Sequence, residues 1–391
     1  MADNKDKKVL NVPALRFPEF KEGWKREILN DVCTFHNGRA YKQNELLSDG
    51  KYRVLRVGNF FTNDSWYYSD LELDDEKVAV NGDLLYAWSA SFGPRFWTGE
   101  KVIYHYHIWK IDSFQQVSKE FLFYFLERDT EKIKNEVQGG TMVHITKGDM
   151  EKREILYPSI LEQSKIARLL SLLDERIATQ NKIIEDLRLL RDAIMVEHYR
   201  KCNKSELCIY DIGEPFNVMN LSKDDLTKDG SPCIIYGELF TTYGCVIENV
   251  VSHTTKSLNS TLSIKGDLLF PASTTVDALS LIAPSSINED GIILGGDMFG
   301  IHVNEQYNSN YLSYYFNIIG KKNLAKYAKG STIIHLHYAD IQKAKITLPN
   351  KNEQEAVANL LLKVEHKLNI EQKMLINYLN TKNFLLRQMF I

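Results

Sequence analysis

The sequence predicts a mixed α/β protein of the α+β class, built from two similar globular domains, each followed by a long coiled-coil helix. Two observations predict this fold. The chain carries an internal repeat with a long period, and the end of each repeat carries an apolar stripe at heptad spacing. With 391 residues the chain is long enough for two domains of ordinary size.

The repeat is recognised from matching short segments. Residues 139–145 match residues 330–336, and His144 and His335 give the offset as 335 − 144 = 191. Residues 82–86 match residues 266–270 at an offset of 266 − 82 = 184. The offset drifts in the body of the repeat and is constant at its end, which indicates insertions and deletions in loops and a fixed register in the terminal helix.

The body of each repeat reads as short strands and one helix. Residues 52–57 alternate apolar and polar side chains, as a half-buried strand does, and residues 233–236 are their counterpart. Turns at residues 81–83 and 265–267 lead into short apolar strands. A helix is predicted over residues 121–134 and echoed over residues 311–328.

The end of each repeat reads as a long helix. Ser159 with Glu162, and Asn350 with Glu353, have the spacing of a capping box. The alternating four-three spacing beyond each cap predicts a coiled-coil seam. Polar residues interrupt both stripes at the same places, at Gln180 and Glu371 and again at Arg191 and Lys382. The apolar residues expected to pack helices are Ile166, Leu170, Leu173, Ile177, Ile184, Val357, Leu361, Val364, Leu368 and Leu375.

Composition places few limits on function. The net charge of −3 does not favour nucleic acid for the chain as a whole, but residues 1–56 lean basic and only the local field matters at a contact surface. The cysteine count of five is odd and no pair has CxxC spacing, so we expect reduced thiols and no metal. No apolar run reaches the roughly 18 residues of a membrane span, and we expect a cytoplasmic location.

Motifs of catalysis are scarce. There is no GxxxxGK[ST] phosphate loop and no Pro-Pro pair of the kind expected in an adenine methyltransferase motif. Residues 295–300 do not fit a dinucleotide-binding glycine motif. His105 and His107 lack a neighbouring carboxylate or Cys, which favours a packed or surface pair over metal ligands. We therefore expect a non-enzyme that binds no cofactor of its own.

The residues best suited to contact nucleic acid are basic and small polar side chains interleaved with aromatic ones, since Arg and Asn can each read a base edge with two hydrogen bonds. In the first repeat they lie near Tyr41, Trp88 and Trp97. The DNA-binding candidates are Arg39, Lys42, Arg56, Asn59, Ser89, Ser91 and Arg95 in the first repeat, and Tyr236, Ser273, Thr274, Lys329 and Ser331 in the second, which is less basic.

A series of short motifs runs over essentially the whole chain and matches a known family. It starts at Leu15-Arg16-Phe17-Pro18-Glu19-Phe20 with Trp24 and continues through the Gly-Asp-Leu-Leu turns, the Gly-Gly-Thr and Gly-Ser-Thr loops and the two helix entries. The resemblance is to the specificity subunits of type I restriction-modification systems. It implies two target-recognition domains separated by two antiparallel helices in a pseudo-two-fold arrangement. It also implies binding of a bipartite, asymmetric sequence in double-stranded DNA.

The resemblance further implies partners and their cofactors. Two methyltransferase subunits would use S-adenosylmethionine to methylate adenine N6, and two translocase-nuclease subunits would use ATP and Mg²⁺. The expected domains are residues 1–158 and 201–349, with spacer helices at 159–200 and 350–391. The alternatives left open are a standalone DNA methyltransferase or nuclease, and a purely structural coiled-coil scaffold.

Overall fold

A computed structural model describes residues 11–61, 63–89, 92–136, 145–218, 221–256 and 260–391. The chain forms two compact units. Unit 1 comprises Met1–Thr179 with Leu375–Ile391, and unit 2 comprises Gln180–Met374. Each unit therefore contains one globular body and a part of both long helices.

The body of unit 1 consists of short strands with one substantial helix. In chain order its elements are β1 (Lys25–Ile28), α1 (Leu29–Val32), β2 (Thr34–Asn37), β3 (Tyr52–Leu55), β4 (Tyr67–Ser69), β5 (Val78–Ala79), β6 (Leu84–Ala87), β7 (Gly93–Phe96), β8 (Val102–Tyr104), β9 (Ile108–Asp112), α2 (Lys119–Glu136), α3 (Lys147–Glu151) and β10 (Glu154–Tyr157). The first long helix, α4 (Ile160–Lys201), follows directly.

The body of unit 2 repeats this order with additional short elements. They are β11 (Ser205–Cys208), β12 (Gly213–Asn217), β13 (Leu226–Thr227), β14 (Ser231–Ile235), α5 (Glu238–Thr241), β15 (Val246–Ile247), β16 (Ser252–Thr254), β17 (Thr261–Leu262), β18 (Asp267–Pro271), β19 (Ser273–Thr274), α6 (Ala278–Leu281), β20 (Ser285–Ile287), β21 (Ile293–Gly295), β22 (Met298–Val303), α7 (Ser309–Ile318), α8 (Lys321–Leu324), β23 (Ile334–His335), α9 (Tyr338–Ile341) and β24 (Lys345–Leu348). The second long helix, α10 (Lys351–Gln388), ends the chain.

Equivalent strands pair in the same way in the two units. In unit 1 one sheet has the order β4-β3-β8-β5, and in unit 2 the order β16-β14-β21-β17 recurs with β13 added at one edge. The central pairs β3 with β8 and β14 with β21 are both parallel. A two-stranded ribbon closes each body, β1 with β10 and β11 with β24. The repeat seen in the sequence is therefore a repeat of the fold.

The long helices contain 42 and 38 residues, which corresponds to about 63 and 57 Å at 1.5 Å per residue. The heptad stripe is the face that both helices bury. Ile166 and Leu170 belong to the core of unit 1, and Val357 and Leu361 belong to the core of unit 2. Ile184, Val364 and Leu368 are buried, and Leu173, Ile177 and Leu375 are partly buried. Among the described residues, no helix is long and apolar enough to cross a membrane.

Each polar interruption of the stripes contacts a polar residue of the other long helix. In unit 2, Gln180 Nε2 donates to the main-chain oxygen of Glu371 at 3.0 Å and also to its carboxylate. Arg191 lies 3.4 Å from the Glu365 carboxylate in the same unit. In unit 1 the equivalent pair is Lys382 with Asp174, at 2.6 Å. The two ion pairs correspond because 382 − 191 = 191 and 365 − 174 = 191.

A buried glutamine ties each long helix to the body before it. Gln163 Oε1 accepts from the Ser118 N–H at 2.7 Å, and its Nε2 donates to Gln116 O and Pro158 O at 2.8 and 2.9 Å. Gln354 repeats this with the Asn308 N–H, at 2.9 Å. These glutamines hold the direction in which each helix leaves its body.

The two predicted capping boxes have different outcomes. Asn350 Oδ1 accepts from the Glu353 N–H at 3.1 Å, as predicted for an N-cap. The Glu162 carboxylate instead accepts two hydrogen bonds from the Arg16 guanidinium, each 2.7 Å long. Glu162 is buried, and a buried carboxylate is stabilised more by a cation than by one main-chain N–H. The Arg16–Glu162 ion pair therefore holds the Leu-Arg-Phe-Pro segment against the start of α4.

Candidate nucleic-acid interface

In unit 1 the ends of β3, β6 and β8 meet at one margin of the body. The His105 N–H donates to Leu55 O at 2.9 Å, and the Trp88 N–H donates to His107 O at 3.1 Å. The Arg39 N–H donates to Tyr104 O at 3.1 Å. These bonds bring together Arg39, Arg56, Trp88 and the turn at residues 105–107, which we call edge 1.

Aromatic and imidazole rings form the centre of edge 1. Trp88 Nε1 donates to Tyr106 O at 2.8 Å, which fixes the turn. The Trp88 ring lies 5.0 Å from the His107 ring, and Tyr41 stacks on His105 at 6.4 Å. Burial, with the nearby His107 and Arg56, lowers the pKa of His105 to about 4. His105 is therefore neutral at physiological pH, and Tyr106 is 40% exposed.

The two arginines of edge 1 are held by their neighbours. Arg39 Nη2 lies 2.8 Å from the Glu45 carboxylate, and its guanidinium lies over the Tyr41 ring at 5.4 Å. Arg56 donates to Ser65 O at 3.1 Å and lies over the Tyr67 ring at 4.3 Å. Both guanidinium groups thus occupy fixed positions at the margin.

The other candidates of the first repeat are spread over several settings. Asn59 uses its side chain inside its own loop, accepting from the Arg56 N–H at 3.2 Å and donating to Asn63 O at 2.7 Å. Lys42 is exposed, and Ser89 is partly buried beside Trp88. Arg95 lies over the Phe61 ring at 4.6 Å and lines a cleft of about 390 Å³. Ser91 lies outside the described residues, as does His144.

Unit 2 forms the equivalent margin from equivalent positions. The Tyr236 N–H donates to Gly295 O at 3.1 Å, and the Ala272 N–H donates to Asp297 O at 2.8 Å. This last bond repeats the one from Trp88 to His107, with 272 − 88 = 184 and 297 − 107 = 190. Tyr236, Ser273 and the turn at residues 295–297 therefore form edge 2.

Most second-repeat candidates lie on edge 2 or beside it. Ser273 and Thr274 pair with His335 and Ile334 in a short ribbon, and the Lys329 N–H donates to His335 O at 2.9 Å. Lys329 also forms an ion pair with Asp340, which lowers the pKa of that carboxyl. Ser273 is buried, whereas Tyr236, Lys329 and Ser331 are exposed. The structure thus brings residues 273, 274 and 329 together.

The two edges differ in chemistry. Edge 1 carries two arginines and neutral aromatic and imidazole rings. Edge 2 carries a tyrosine, hydroxyl groups, one ion-paired lysine and the exposed Asp297. Equivalent edges of the two units therefore present two different sets of hydrogen-bonding groups.

The turns at residues 105–107 and 295–297 are absent from the sequence-based DNA-binding candidates. From the sequence, the histidine pair is expected to be packed or on the surface, and residues 295–300 do not fit a dinucleotide-binding glycine motif. No group of three or more His, Cys, Asp or Glu that could hold a metal is found in the part of the chain that the structure describes. Aligning both turns on the repeat would have marked them as equivalent.

Comparisons with known proteins agree with this architecture. A family model described as "Type I restriction modification DNA specificity domain" matches residues 21–189 and again residues 206–380. The chain is 24% identical over 403 residues to the type I restriction enzyme MjaVIII specificity subunit of Methanocaldococcus jannaschii, covering 94% of this chain and 92% of the relative. The putative MjaX specificity subunit of the same organism is 23% identical over 408 residues, covering 91% and 90% of the two chains.

Solved structures show the same fold at low sequence identity. The crystal structure of a type I restriction-modification S subunit from M. genitalium gives a TM-score of 0.63 at 16% identity, covering 97% of this chain and 99% of that one. A chain from a study of complex assembly and conformational transition of the type I R-M system gives 0.54 at 14% identity, covering 95% and 98% of the two chains.

Proposed function

The chain belongs to the type I restriction-modification DNA specificity family, and from that premise we propose that it reads a bipartite, asymmetric DNA sequence. Each unit would contact one half of the target, edge 1 one half and edge 2 the other. The chain would thereby direct adenine-N6 methylation and restriction, both performed by partner subunits.

The observation that carries the proposal is the pair of edges. Both are built from equivalent strand ends and share one main-chain hydrogen bond, from Trp88 to His107 and from Ala272 to Asp297, but they present different side chains. Base edges in the major groove are told apart by their pattern of donors and acceptors. Two copies of one scaffold with different side chains suit a target whose two halves differ in sequence.

Partners are proposed to dock on the long helices. Both helices bury the heptad stripe and still expose large apolar side chains, which docked partners would cover. These exposed residues include Leu161, Leu172, Leu189 and Leu190 on α4, and Ile370, Ile376 and Phe384 on α10. We propose two methyltransferase subunits, which use S-adenosylmethionine, and two translocase-nuclease subunits, which use ATP and Mg²⁺.

The chain itself is proposed to be non-catalytic, and this can be tested directly. The purified chain, the purified methyltransferase partner and their mixture are each incubated with S-adenosylmethionine and duplex DNA from a host that lacks the system. Sequencing then locates methylated adenines. We expect methylation only in the mixture, at one split sequence with an unread spacer.

Two results would contradict the proposal. Methylation or cleavage by the chain alone, in a preparation shown to be free of partner, would favour a standalone enzyme. Methylation by the mixture at a continuous sequence would exclude reading by two separate units.

A further inference from the structure

The turn at residues 295–297 occupies the centre of edge 2. It begins at Gly295, the last residue of β21, which pairs in parallel with β14, and it ends directly before β22. Its main chain binds the Tyr236 N–H on one side and the Ala272 N–H on the other. Asp297, at the tip of this turn, is exposed.

The turn is held rigidly by close packing. Gly296 has a φ of +91°, and a Cβ added there would lie 2.9 Å from Cδ1 of Tyr236. A Cβ at Gly295 would lie 2.1 Å from Cβ of Leu221. Side chains larger than hydrogen are therefore excluded at both positions. The Asp297 carboxylate projects from a support with little freedom to move, as a side chain that reads DNA requires.

The Asp297 carboxylate has no hydrogen-bond or ion-pair partner among the residues that the structure describes. An exposed, unpaired carboxylate is costly on a surface that faces DNA, because the phosphate backbone is itself negative. In the major groove, the base edges contain one kind of donor that a carboxylate can bind, the exocyclic amino group of cytosine (N4) or adenine (N6). A hydrogen bond from such an amino group would offset the repulsion between the Asp297 carboxylate and the DNA phosphates.

We infer that Asp297 is a specificity-determining residue of unit 2, accepting a hydrogen bond from an exocyclic amino group of cytosine or adenine in the major groove. This inference rests on the proposed function and names one contact of it. His107, the equivalent residue of edge 1, has an imidazole in place of a carboxylate, so the two edges would favour different bases at this position.

The test uses the full chain assembled with its methyltransferase partner. Duplex libraries randomised in the half-site read by unit 2 are methylated by the wild-type complex and by Asp297→Ala and Asp297→Asn variants. Glu305→Ala is the matched control, because Glu305 is an exposed acid of the same unit just beyond the other end of β22. Glu305→Ala changes the net charge of the chain by the same amount as Asp297→Ala, at a position about 20 Å from Asp297 along the strand.

Asp297→Ala is expected to lose the preference for cytosine or adenine at one position by about tenfold or more, the size typical of a good base contact. Binding to unrelated duplex should stay equal or become tighter, because a negative charge has been removed. Asp297→Asn should change the preferred base, since an amide also donates. Whether cytosine or adenine is lost identifies the amino group.

Several outcomes would overturn the inference. Both Asp297 variants could keep the wild-type base preference while the wild-type complex methylates a split target. In that case Asp297 does not determine specificity, and the proposed function still holds. Equal losses in Asp297→Ala and Glu305→Ala would make the effect one of net charge. Loss of binding to every duplex sequence by folded Asp297→Ala would indicate a structural role. Failure of the wild-type complex to methylate any split target would count against the proposed function.

Discussion

At the scale of single residues, the polar side chains that stabilise the fold are distinct from those that are exposed on the two edges. Gln163 and Gln354 are buried at equivalent helix entries, and Asn59 is committed to its own loop. Tyr106, Tyr236 and Asp297 are exposed on the edges. Substitutions in the first group should change stability, and those in the second should change recognition.

Replacing Gln163 by Leu should destabilise unit 1. The leucine removes three hydrogen bonds and leaves the Ser118 N–H and the Gln116 and Pro158 oxygens without their side-chain partner. A buried unsatisfied polar group costs about 1–3 kcal/mol, so the free energy of unfolding should fall by at least this amount. Urea unfolding of the full chain measures it. A change below about 0.5 kcal/mol would show that water replaces the glutamine.

Arg56 and Asn59 should respond differently to alanine. Arg56→Ala should weaken duplex binding by about 1–3 kcal/mol if the guanidinium reads a base, and should lower the salt dependence if it contacts a phosphate. Asn59→Ala should act through the loop, lowering stability as well as binding. Binding isotherms at several salt concentrations distinguish a base contact of Arg56 from a phosphate contact. Wild-type affinity and salt slope in Arg56→Ala would place Arg56 away from DNA.

The half-buried His105 of edge 1 should make unit 1 sensitive to acid. Because the pKa of His105 is lowered from 6.5 to about 4, the unfolded chain binds a proton between these pH values that the folded chain excludes. The stability contributed by neutral His105 is therefore present above pH 6.5 and is lost as the pH falls towards 4. His105→Gln should have a shallower loss of stability between pH 7 and pH 5. Identical pH profiles for the two chains would contradict this.

At the scale of elements, the long helices combine an apolar stripe with polar contacts at fixed places. The pairs Arg191 with Glu365 and Lys382 with Asp174 occur at equivalent positions in units 2 and 1. Gln180 binds Glu371, its own equivalent in the repeat. Polar residues at core positions specify register at some cost in stability, since a slipped alignment leaves them unpaired.

A double-mutant cycle on Gln180 and Glu371 tests this role. Glu371→Leu alone leaves the Gln180 amide buried without its carboxylate, and should destabilise by about 1–3 kcal/mol. The double variant Gln180→Leu with Glu371→Leu should recover most of that loss, because a packed apolar pair needs no partner. Urea unfolding gives the coupling free energy. Simple additivity of the two single changes would show that the pair does not interact in solution.

At the scale of the whole molecule, the chain is a duplicated unit whose bodies can vary while the helices keep their register. Each body begins and ends in one two-stranded ribbon. In unit 2, Ser205 pairs with Leu348, so the chain enters and leaves the body at neighbouring points. The body between these two points can therefore be replaced by that of a relative together with both strands of its ribbon.

Replacing residues 205–348 by the corresponding body of another family member should change one half of the methylated sequence and leave the other half unchanged. The reason is that edge 2 lies wholly within this segment and edge 1 wholly outside it. Methylome sequencing of a host that carries the complete system reads both halves at once. The control is an exchange ending at residue 345, which splits β24 and should yield less folded protein. A change in both halves would exclude independent reading.

Much of the architecture was predictable from sequence, because repeats and heptads are one-dimensional patterns. The offset of 191 by itself places the two helix entries and the polar interruptions at equivalent positions of the two long helices. Helix α4 begins at Ile160, directly after the predicted cap. Side-chain spacing along a helix determines which residues share a face, so the buried stripe followed from the sequence alone.

The candidate interface depended on tertiary structure. Arg39, Arg56, Trp88 and His107 are far apart in sequence and meet because β3 pairs in parallel with β8 across a long connection. Local pattern likewise could not show that Asn59 bonds its own loop, or that Glu162 binds Arg16 from 146 residues away. The sequence by itself determined the family, the repeat and the helical seam. Only long-range strand pairing decided which side chains share an edge, because loop-borne contacts carry no periodicity that a sequence can display.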